Sequence, residues 1–292
     1  MSPNGRIAAV GLALAVGAHP AFAWGVKGHQ WAVQNAVELL PEGPLKASLQ
    51  GQVQRIAYYT LLPDFQWKDG TRDKLEGPDH YLNLEVTSAT PQASDLPRTR
   101  LEAARLYTSK GLKYRDGGFL PWRIEEAYWA LVNALKTDPG EVAFYAGVLG
   151  HYAADATQPL HTTVHYDGRV DPRSGGAREL KGIHLDYEVT FLEDHGLEFR
   201  QSSLKLAKAP QVLPDVHAAA VATILDSFGH VDELYEVARR HPGPGKYAAW
   251  DREVGELTRR QLAKAATFLT SLWLTAWQEA GRPDLSRPTG DQ

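Results

Sequence analysis

Apolar residues recur every three to four positions over most of this chain, which is the period of an amphipathic α-helix. Between these segments, clusters of Gly and Pro mark loops, and no stretch keeps the alternation of a half-buried strand. The pattern predicts helices over Gln30–Leu40, Leu101–Leu112, Ile124–Leu135, Glu141–Gln158, Ile183–His195, Pro214–Arg240 and Trp250–Ala280. We therefore expect an all-α protein with a single multi-helix domain of roughly seven to ten helices.

The first residues have the pattern of a secretory signal peptide. One positive charge, Arg6, precedes an apolar run from Ile7 to Val16, and Ala21-Phe22-Ala23 supplies a small-x-small cleavage site. A membrane anchor is the alternative, but the run is shorter than the ~20 residues that a span needs. We expect residues 1–23 to be removed after Ala23, with export to the periplasm or the medium. Residues 24–280 would then form the domain, and residues 281–292 a loose tail.

The composition limits the possible chemistry. The 292 residues include 43% hydrophobic residues, no cysteine, and a formal net charge of −4. The chain lacks the net positive charge that would indicate nucleic-acid binding. Without cysteine, an exported chain has neither disulfides nor thiolate ligands, so any metal must be held by His, Asp, Glu or backbone groups.

Residues suited to metal binding occur in two i,i+4 pairs on predicted helices. His151 and Asp155 share the apolar helix that Pro159 should end, and His184 and Glu188 open the next one. A lone histidine is more often structural, but two pairs of buried ligand-type residues are costly to leave unpaired. Further residues of these types are His29, Asp64, His80 and His161. The pattern favours a site for a divalent metal such as zinc.

Three motifs lie between Trp24 and Glu188. They are the start Trp24-Gly25-x-x-Gly28-His29, the core His151-x3-Asp155-x5-His161 with Gln158-Pro159-Leu160 inside it, and His184. Together they resemble the zinc-dependent single-strand nucleases of the S-one/P-one type, whose superfamily includes the bacterial zinc-dependent phospholipases C. The C-terminal helices carry none of these motifs and agree with the resemblance only in being helical.

The resemblance implies three zinc ions and their ligands. The first would be held by Asp64, His80, His151 and Asp155, the second by His161, His184 and Glu188, and the third by the amine and carbonyl of Trp24, His29 and the bridging Asp155. Cleavage after Ala23 would then itself create a ligand. Asp69 and Asp73 lie in the same predicted loop as Asp64 and are alternatives to it. Clustered metal ions suit phosphate-ester hydrolysis by an activated water, with Asp64 and Asp155 as the catalytic carboxylates.

The resemblance points to two substrates. Tyr81 follows His80 where the nucleases place a base-stacking aromatic, and it could equally be core packing. Glu188, the helix starting at His29 and the lack of cysteine resemble the phospholipases, whereas Lys27 has the wrong sign for a choline cation. Residues expected to contact substrate are Tyr81, Phe65 and Lys27.

Three hypotheses follow from these observations. The favoured one is an exported zinc-dependent endonuclease for single-stranded DNA or RNA, with 3′-nucleotidase activity. The alternative is a zinc-dependent phospholipase C acting on phospholipid, for which an exposed apolar rim around the cleft would be evidence. The last is a non-catalytic helical protein in which zinc only stabilises the fold. No stable protein partner is indicated.

Overall fold

Helices form nearly all of the regular structure in the computed structural model, which describes residues 24–68, 72–170, 178–195, 198–243 and 245–285. The predicted signal peptide, residues 1–23, lies outside the described residues. The helices are α1 Gly25–Leu39, α2 Pro44–Gly51, α3 Val53–Tyr59, α4 Asp73–Glu76, α5 Arg100–Ser109, α6 Tyr114–Gly117, α7 Leu120–Thr137, α8 Val142–Asp155, α9 Ile183–Leu185, α10 Leu192–His195, α11 Phe199–Leu206, α12 Val216–Phe228, α13 Val231–Arg240, α14 Lys246–Glu253 and α15 Gly255–Glu279.

Short irregular helices and one strand pair connect these elements. π-Helical segments cover Pro63–Trp67 and Asp186–Phe191, and 3-10 turns cover Gly77–His80, Leu84–Val86, Ala93–Asp95 and Pro159–Thr162. β1 Arg169–Val170 pairs antiparallel with β2 Arg178–Glu179, in the predicted loop between His161 and His184.

Local sequence explains where several helices begin. Thr99 and Glu102 form a reciprocal capping box at the start of α5. Pro44 stands in the first turn of α2, where its missing N–H costs nothing. The Asp215 side chain accepts a hydrogen bond from the Ala218 amide at the start of α12, at 2.9 Å.

The all-α prediction is confirmed, but several helix boundaries were wrong. The helix expected over Pro214–Arg240 breaks at Gly229–His230, because Gly is a poor helix former and the chain turns there. The helix expected over Trp250–Ala280 is divided at Val254 into α14 and α15. The described residues also contain α2, α3 and several one-turn helices that the pattern missed, since such short elements have too few positions to show a period.

The longest helix, α15, organises the core. It packs against α1, α7, α8 and α11, and its Trp273 is fully buried. α8 is apolar on nearly all sides and buried over most of its length, as expected of a central helix. A Cβ on Gly147 would lie 2.6 Å from Tyr59 Cβ, so this glycine lets α3 approach α8 closely.

The C-terminal end packs back onto the domain over the residues that are described. Trp277 Nε1 donates to the Pro283 carbonyl at 3.1 Å, and Leu285 contacts the core. Residues 286–292 of the expected loose tail lie outside the described residues. None of the helices described is long and apolar enough to cross a bilayer.

Candidate metal centre

α8 presents His151 and Asp155 to the interior at its C-terminal end. Both side chains are fully buried, and His151 Nε2 lies 3.3 Å from Asp155 Oδ2. The other ring nitrogen, Nδ1, lies 2.8 Å from the Thr60 carbonyl oxygen at the end of α3. A carbonyl acceptor on Nδ1 directs the Nε2 lone pair inwards, which is the usual arrangement behind a metal-binding histidine.

A first group forms where His80 and Asp64 meet this pair. His80 Nδ1 lies 3.1 Å from Asp155 Oδ2 and 2.9 Å from His151 Nε2. Asp64, on the first π-helical segment, places Oδ1 3.6 Å from His80 Nδ1 and 3.9 Å from His151 Nε2. All four predicted ligands of the first zinc therefore lie together.

Of the two alternatives to Asp64 as a ligand, Asp73 and Asp69, the structure describes only Asp73. Asp73 lies on the cleft wall, outside the compact groups of ligand atoms found among the described residues. Asp69 lies outside the described residues.

A second group consists of His161, His184 and Glu188, with their ligand atoms within 4.8 Å of one another. His161 Nε2 lies 3.2 Å from Glu188 Oε1, and the ring of His184 contacts the same carboxylate. His161 Nδ1 lies 2.6 Å from the His80 carbonyl oxygen, so the backbone of the first group orients a ligand of the second. Glu188 stands in the second π-helical segment, a form that is frequent at functional sites.

Two members of the predicted third set, His29 and Asp155, lie together. His29 Nε2 lies 3.6 Å from Asp155 Oδ1 and 4.0 Å from Asp64 Oδ2, so His29 and the proposed bridging carboxylate do meet. Trp24 is fully buried, and its indole Nε1 donates to the Ala154 carbonyl at 3.0 Å. Its own carbonyl accepts from the Gly28 amide at 3.0 Å. The predicted role of its amine depends on cleavage after Ala23 and stays a prediction.

The glycines of the first motif are needed for packing. Gly25 has φ +55°, in the left-handed region. A Cβ on Gly28 would lie 2.6 Å from Trp24 Cβ and 2.8 Å from Leu192 Cδ2. The motif therefore allows α1 to lie against α10 one residue before His29.

Burial sets the protonation of these groups. It lowers the pKa of His29 to about 3 and that of His184 to about 4, so both imidazoles are neutral at pH 7 and keep a lone pair for a metal. It raises the pKa of Glu188 to about 8. Burial also opposes ionisation of Asp64, but the charge of Lys68 and the nearby imidazoles outweigh it and lower the Asp64 pKa to about 2.

The groups have the donor set that zinc prefers. Several of their buried nitrogen and oxygen atoms have no hydrogen-bond partner, and each such atom costs about 1–3 kcal/mol if nothing else contacts it. These atoms are Nδ1 and Nε2 of His29, Nε2 of His80, Oδ1 of Asp155, Nε2 of His161, Nδ1 and Nε2 of His184, and Oε2 of Glu188. Zinc binds imidazole nitrogen and carboxylate oxygen, so the residues present fit it.

A family model described as "Zinc dependent phospholipase C" matches residues 28–222, more than half of the chain. The match includes every His, Asp and Glu of the groups above. The chain belongs to the zinc-dependent phospholipase C family. The superfamily indicated by the motifs is thus confirmed, whereas the nuclease family within it stays a prediction.

Solved structures of two toxins resemble this zinc-dependent phospholipase C family member. The alpha toxin of Clostridium absonum has a TM-score of 0.50 at 12% identity, covering 89% of this chain and 65% of the toxin. The alpha-toxin of Clostridium perfringens has a TM-score of 0.50 at 13% identity, covering 92% and 66%. The chain spans about two thirds of each toxin, and the likeness supports the helical phospholipase C fold.

One curated relative carries another name. A probable serine protease of Bradyrhizobium tropiciagri is 29% identical over 198 residues, covering 58% of this chain and 24% of that protein. The chain therefore spans about a quarter of this relative's length.

A cleft of about 410 Å³ opens onto both metal-binding groups of the phospholipase C domain. Its walls include His80 from the first group and His161 and His184 from the second, so the cleft lies directly against both groups. The other lining residues are Lys68, Asp73, Gly77, Pro78, Tyr81, Asn83, Arg115, Leu160 and Tyr166.

The residues predicted to contact substrate have different positions. Tyr81 lines the cleft, and its hydroxyl donates to the Arg115 carbonyl at 2.7 Å. Phe65 follows Asp64 and is 53% exposed, outside the cleft lining. Lys27 Nζ donates to the Glu193 carbonyl at 2.9 Å and does not line the cleft either, so the geometry gives its predicted role no support.

Lys68 and Gln158, two side chains next to the predicted ligands, were given no role from the sequence, although Gln158 stands in the core motif. Lys68 places Nζ 2.6 Å from Asp64 Oδ1, and its spacing of four residues from Asp64 was an available signal. Gln158 Nε2 donates to Glu188 Oε1 at 2.6 Å, and its own Oε1 accepts from the Leu160 amide at 2.8 Å. Gln158 thereby holds a ligand carboxylate that lies 30 residues away in sequence.

Proposed function

We propose that this chain is a zinc-dependent phosphodiesterase of the phospholipase C type. Its reaction would be the addition of water to the phosphorus of a phospholipid, with cleavage of the bond from phosphorus to the glycerol oxygen. Diacylglycerol would leave with the proton, and the phosphorylated headgroup would be the other product. The observation that carries this proposal is a pair of buried His and carboxylate groups, with unsatisfied ligand atoms, that share one open cleft.

The ligand sets follow the geometry and the resemblance. The first ion would be held by Asp64, His80, His151 and Asp155, the second by His161, His184 and Glu188, and the third by His29, Asp155 and the backbone of Trp24. When bound, zinc supplies Lewis acidity and lowers the pKa of a coordinated water. We further propose export with cleavage after Ala23, which would free the Trp24 amine for the third set.

Asp64 is the side chain we assign to orienting the attacking water. Its carboxylate is buried, and Lys68 keeps it ionised and fixes Oδ1. An ionised carboxylate held in this way orients a water molecule by accepting a hydrogen bond from it. Asp155 has a different role, since its two oxygens face His29 and His80 and hold the centre together.

The cleft walls suit an anionic phosphodiester. Lys68 and Arg115 both line the cleft; Arg115 is exposed and supplies positive charge at the surface, whereas Lys68 is paired with Asp64. A strong local cation is needed because the chain as a whole is acidic, at −4.

A nuclease is the second candidate, and the aromatic residues on the cleft wall are the reason to keep it. Tyr81 and Tyr166 both line the cleft, where their rings could stack on unpaired bases. Single-stranded DNA or RNA would then be the substrate. A purely structural zinc site fits less well, because structural sites are closed whereas these ligands face a cleft.

The deciding experiment is an activity panel on the zinc-loaded mature chain. Substrates are phosphatidylcholine, single-stranded DNA, single-stranded RNA and a 3′-nucleotide, with bound zinc measured in the same samples. We expect release of a phosphorylated headgroup that chelation abolishes. Hydrolysis of nucleic acid alone would favour the nuclease, and inactivity on all four with zinc bound would refute a catalytic role.

A further inference from the structure

Three exposed apolar side chains lie together beside the mouth of the cleft. Leu75 on α4, Leu101 on α5 and Tyr114 on α6 are 76%, 60% and 57% exposed. All three line one surface hollow of about 520 Å³, so they form a contiguous patch, here called the apolar patch. Large exposed apolar groups that cluster in this way mark interaction surfaces rather than ordinary surface.

The apolar patch is continuous with the proposed active site. Pro78 lines both the hollow and the cleft. The neighbours Asp73 and Lys74 line the cleft and the hollow respectively, and Arg115 on the cleft wall directly follows Tyr114. A partner seated on the patch would therefore lie at the entrance to the metal-binding groups.

Four exposed cationic side chains flank the apolar patch. Arg72, Lys74, Lys113 and Arg115 are exposed and form no ion pair within the described part of the chain. This surface therefore attracts an anionic partner.

Most acidic residues of the same elements are directed to internal partners, whereas Asp73 lines the cleft. Asp79 pairs with Arg100 at 2.5 Å, Glu76 accepts from the Tyr152 hydroxyl, and Asp116 accepts from the Lys113 amide at 2.7 Å. Glu102 is exposed but caps α5 through Thr99. These carboxylates keep their charge but are held by internal partners, whereas the four cations have no ion pair among the described residues and can contact an anionic partner.

We propose that the apolar patch and its cationic rim form the surface by which this chain docks on an anionic phospholipid bilayer. This proposal rests on the proposed function, since it supplies the contact through which lipid would enter the cleft. Leucine and tyrosine side chains entering the interface, next to lysine and arginine facing anionic headgroups, are the two components of peripheral membrane binding.

The test measures binding separately from hydrolysis. Zinc-loaded protein is mixed with vesicles of phosphatidylcholine containing phosphatidylglycerol and a dansyl lipid. Energy transfer from tryptophan is read within the first second, before hydrolysis alters the surface. The variants are Leu75→Ser with Leu101→Ser, and Lys74→Glu with Lys113→Glu. Their matched controls are Leu206→Ser, which is 44% exposed on α11, and Lys136→Glu on α7, since neither lines the hollow or the cleft.

We expect each patch variant to bind vesicles at least about tenfold more weakly than wild type, with the controls unchanged. Hydrolysis of a short-chain, monomeric phosphatidylcholine should be the same in all five proteins. Vesicle binding by the patch variants that equals wild type would overturn the docking proposal, even if the monomeric lipid is cleaved. Failure of wild type to cleave the monomeric lipid would instead count against the proposed function.

Other occupants of the patch would give different results. A single-stranded oligonucleotide that displaces wild type from vesicles, and binds the patch variants weakly, would assign this surface to nucleic acid. A dimer that the double serine variant dissociates would assign it to a second copy of the chain. Either result overturns the membrane proposal.

Discussion

Replacing Gln158 by Ala tests whether a buried amide holds the second metal-binding group together. The side chain is fully buried, and its Nε2 donates to Glu188 Oε1 at 2.6 Å. The variant loses this hydrogen bond to a carboxylate, which is worth about 1.5–3 kcal/mol. At about 1.4 kcal/mol per factor of ten, zinc affinity at this group should fall about 10–100-fold, which is the usual cost of removing a partner of a metal ligand.

The assay is zinc competition against chelators of graded strength. Wild type and Gln158→Ala are loaded with zinc and titrated, and the ions retained at each step are counted. We expect the variant to release one ion at a chelator strength that wild type withstands, with a parallel loss of phosphodiesterase activity. A Gln158→Glu variant, which places a second carboxylate beside Glu188, should be affected at least as strongly.

The matched control is Gln261→Ala. Gln261 is equally buried and donates to the Thr157 carbonyl at 2.8 Å, but it contacts no predicted ligand. Its loss should lower the free energy of unfolding and leave zinc affinity unchanged. Equal zinc retention by Gln158→Ala and wild type, or an equal loss in Gln261→Ala, would show that Gln158 does not position Glu188.

Three further predictions follow from the packing and charges of the site. Gly28→Ala should lower the free energy of unfolding by about 1–3 kcal/mol in urea titrations, because its Cβ would overlap Trp24; Gly51→Ala, with open space around it, should not. In chelator-treated protein, burial raises the pKa of Glu188 from 4.5 to about 8. The folded state then keeps a proton that the unfolded state has lost, so the free energy of unfolding should fall between about pH 6.5 and pH 8. His29 and His184, whose pKa values are lowered, affect stability in the opposite sense only below about pH 6.5. A free energy of unfolding that is constant between about pH 6.5 and pH 8, or a pH dependence that Glu188→Gln leaves unchanged, would contradict the prediction. An extra residue before Trp24 should remove one zinc from the mature chain by metal analysis, and full stoichiometry would contradict a role for the amine.

The grouping of the candidate metal ligands was predictable because local sequence already brings several of them together. Two ligand pairs, His151 with Asp155 and His184 with Glu188, are four residues apart in sequence. On a helix this spacing places the two side chains of each pair next to each other. Asp64 and His80 needed the family resemblance, since no periodicity relates them to α8. The π-helical form of the segments that contain Asp64 and Glu188 has no sequence signal that distinguishes it from an α-helix.

The features beyond the ligands depend on tertiary structure and were less predictable. The Thr60 carbonyl that orients His151 belongs to the backbone, so its residue type gives no indication of the role. The apolar patch draws one residue from each of three helices, and two of them, α4 and α6, are too short to show which side is exposed. Lys27 was assigned to the substrate by its place near the mature start, but α1 turns it towards Glu193.

His80 links the two metal-binding groups through different atoms of one residue. Its ring belongs to the first group, while its carbonyl oxygen fixes the ring of His161 in the second. Binding of an ion by the His80 ring would also restrain the backbone that orients His161. The first ion would therefore order most of the second group, and binding of the second ion would cost less conformational entropy. We therefore expect zinc uptake to be cooperative, with partly loaded molecules scarce and activity that rises steeply over a narrow range of free zinc. The concentration of free zinc would then act as a switch for the activity.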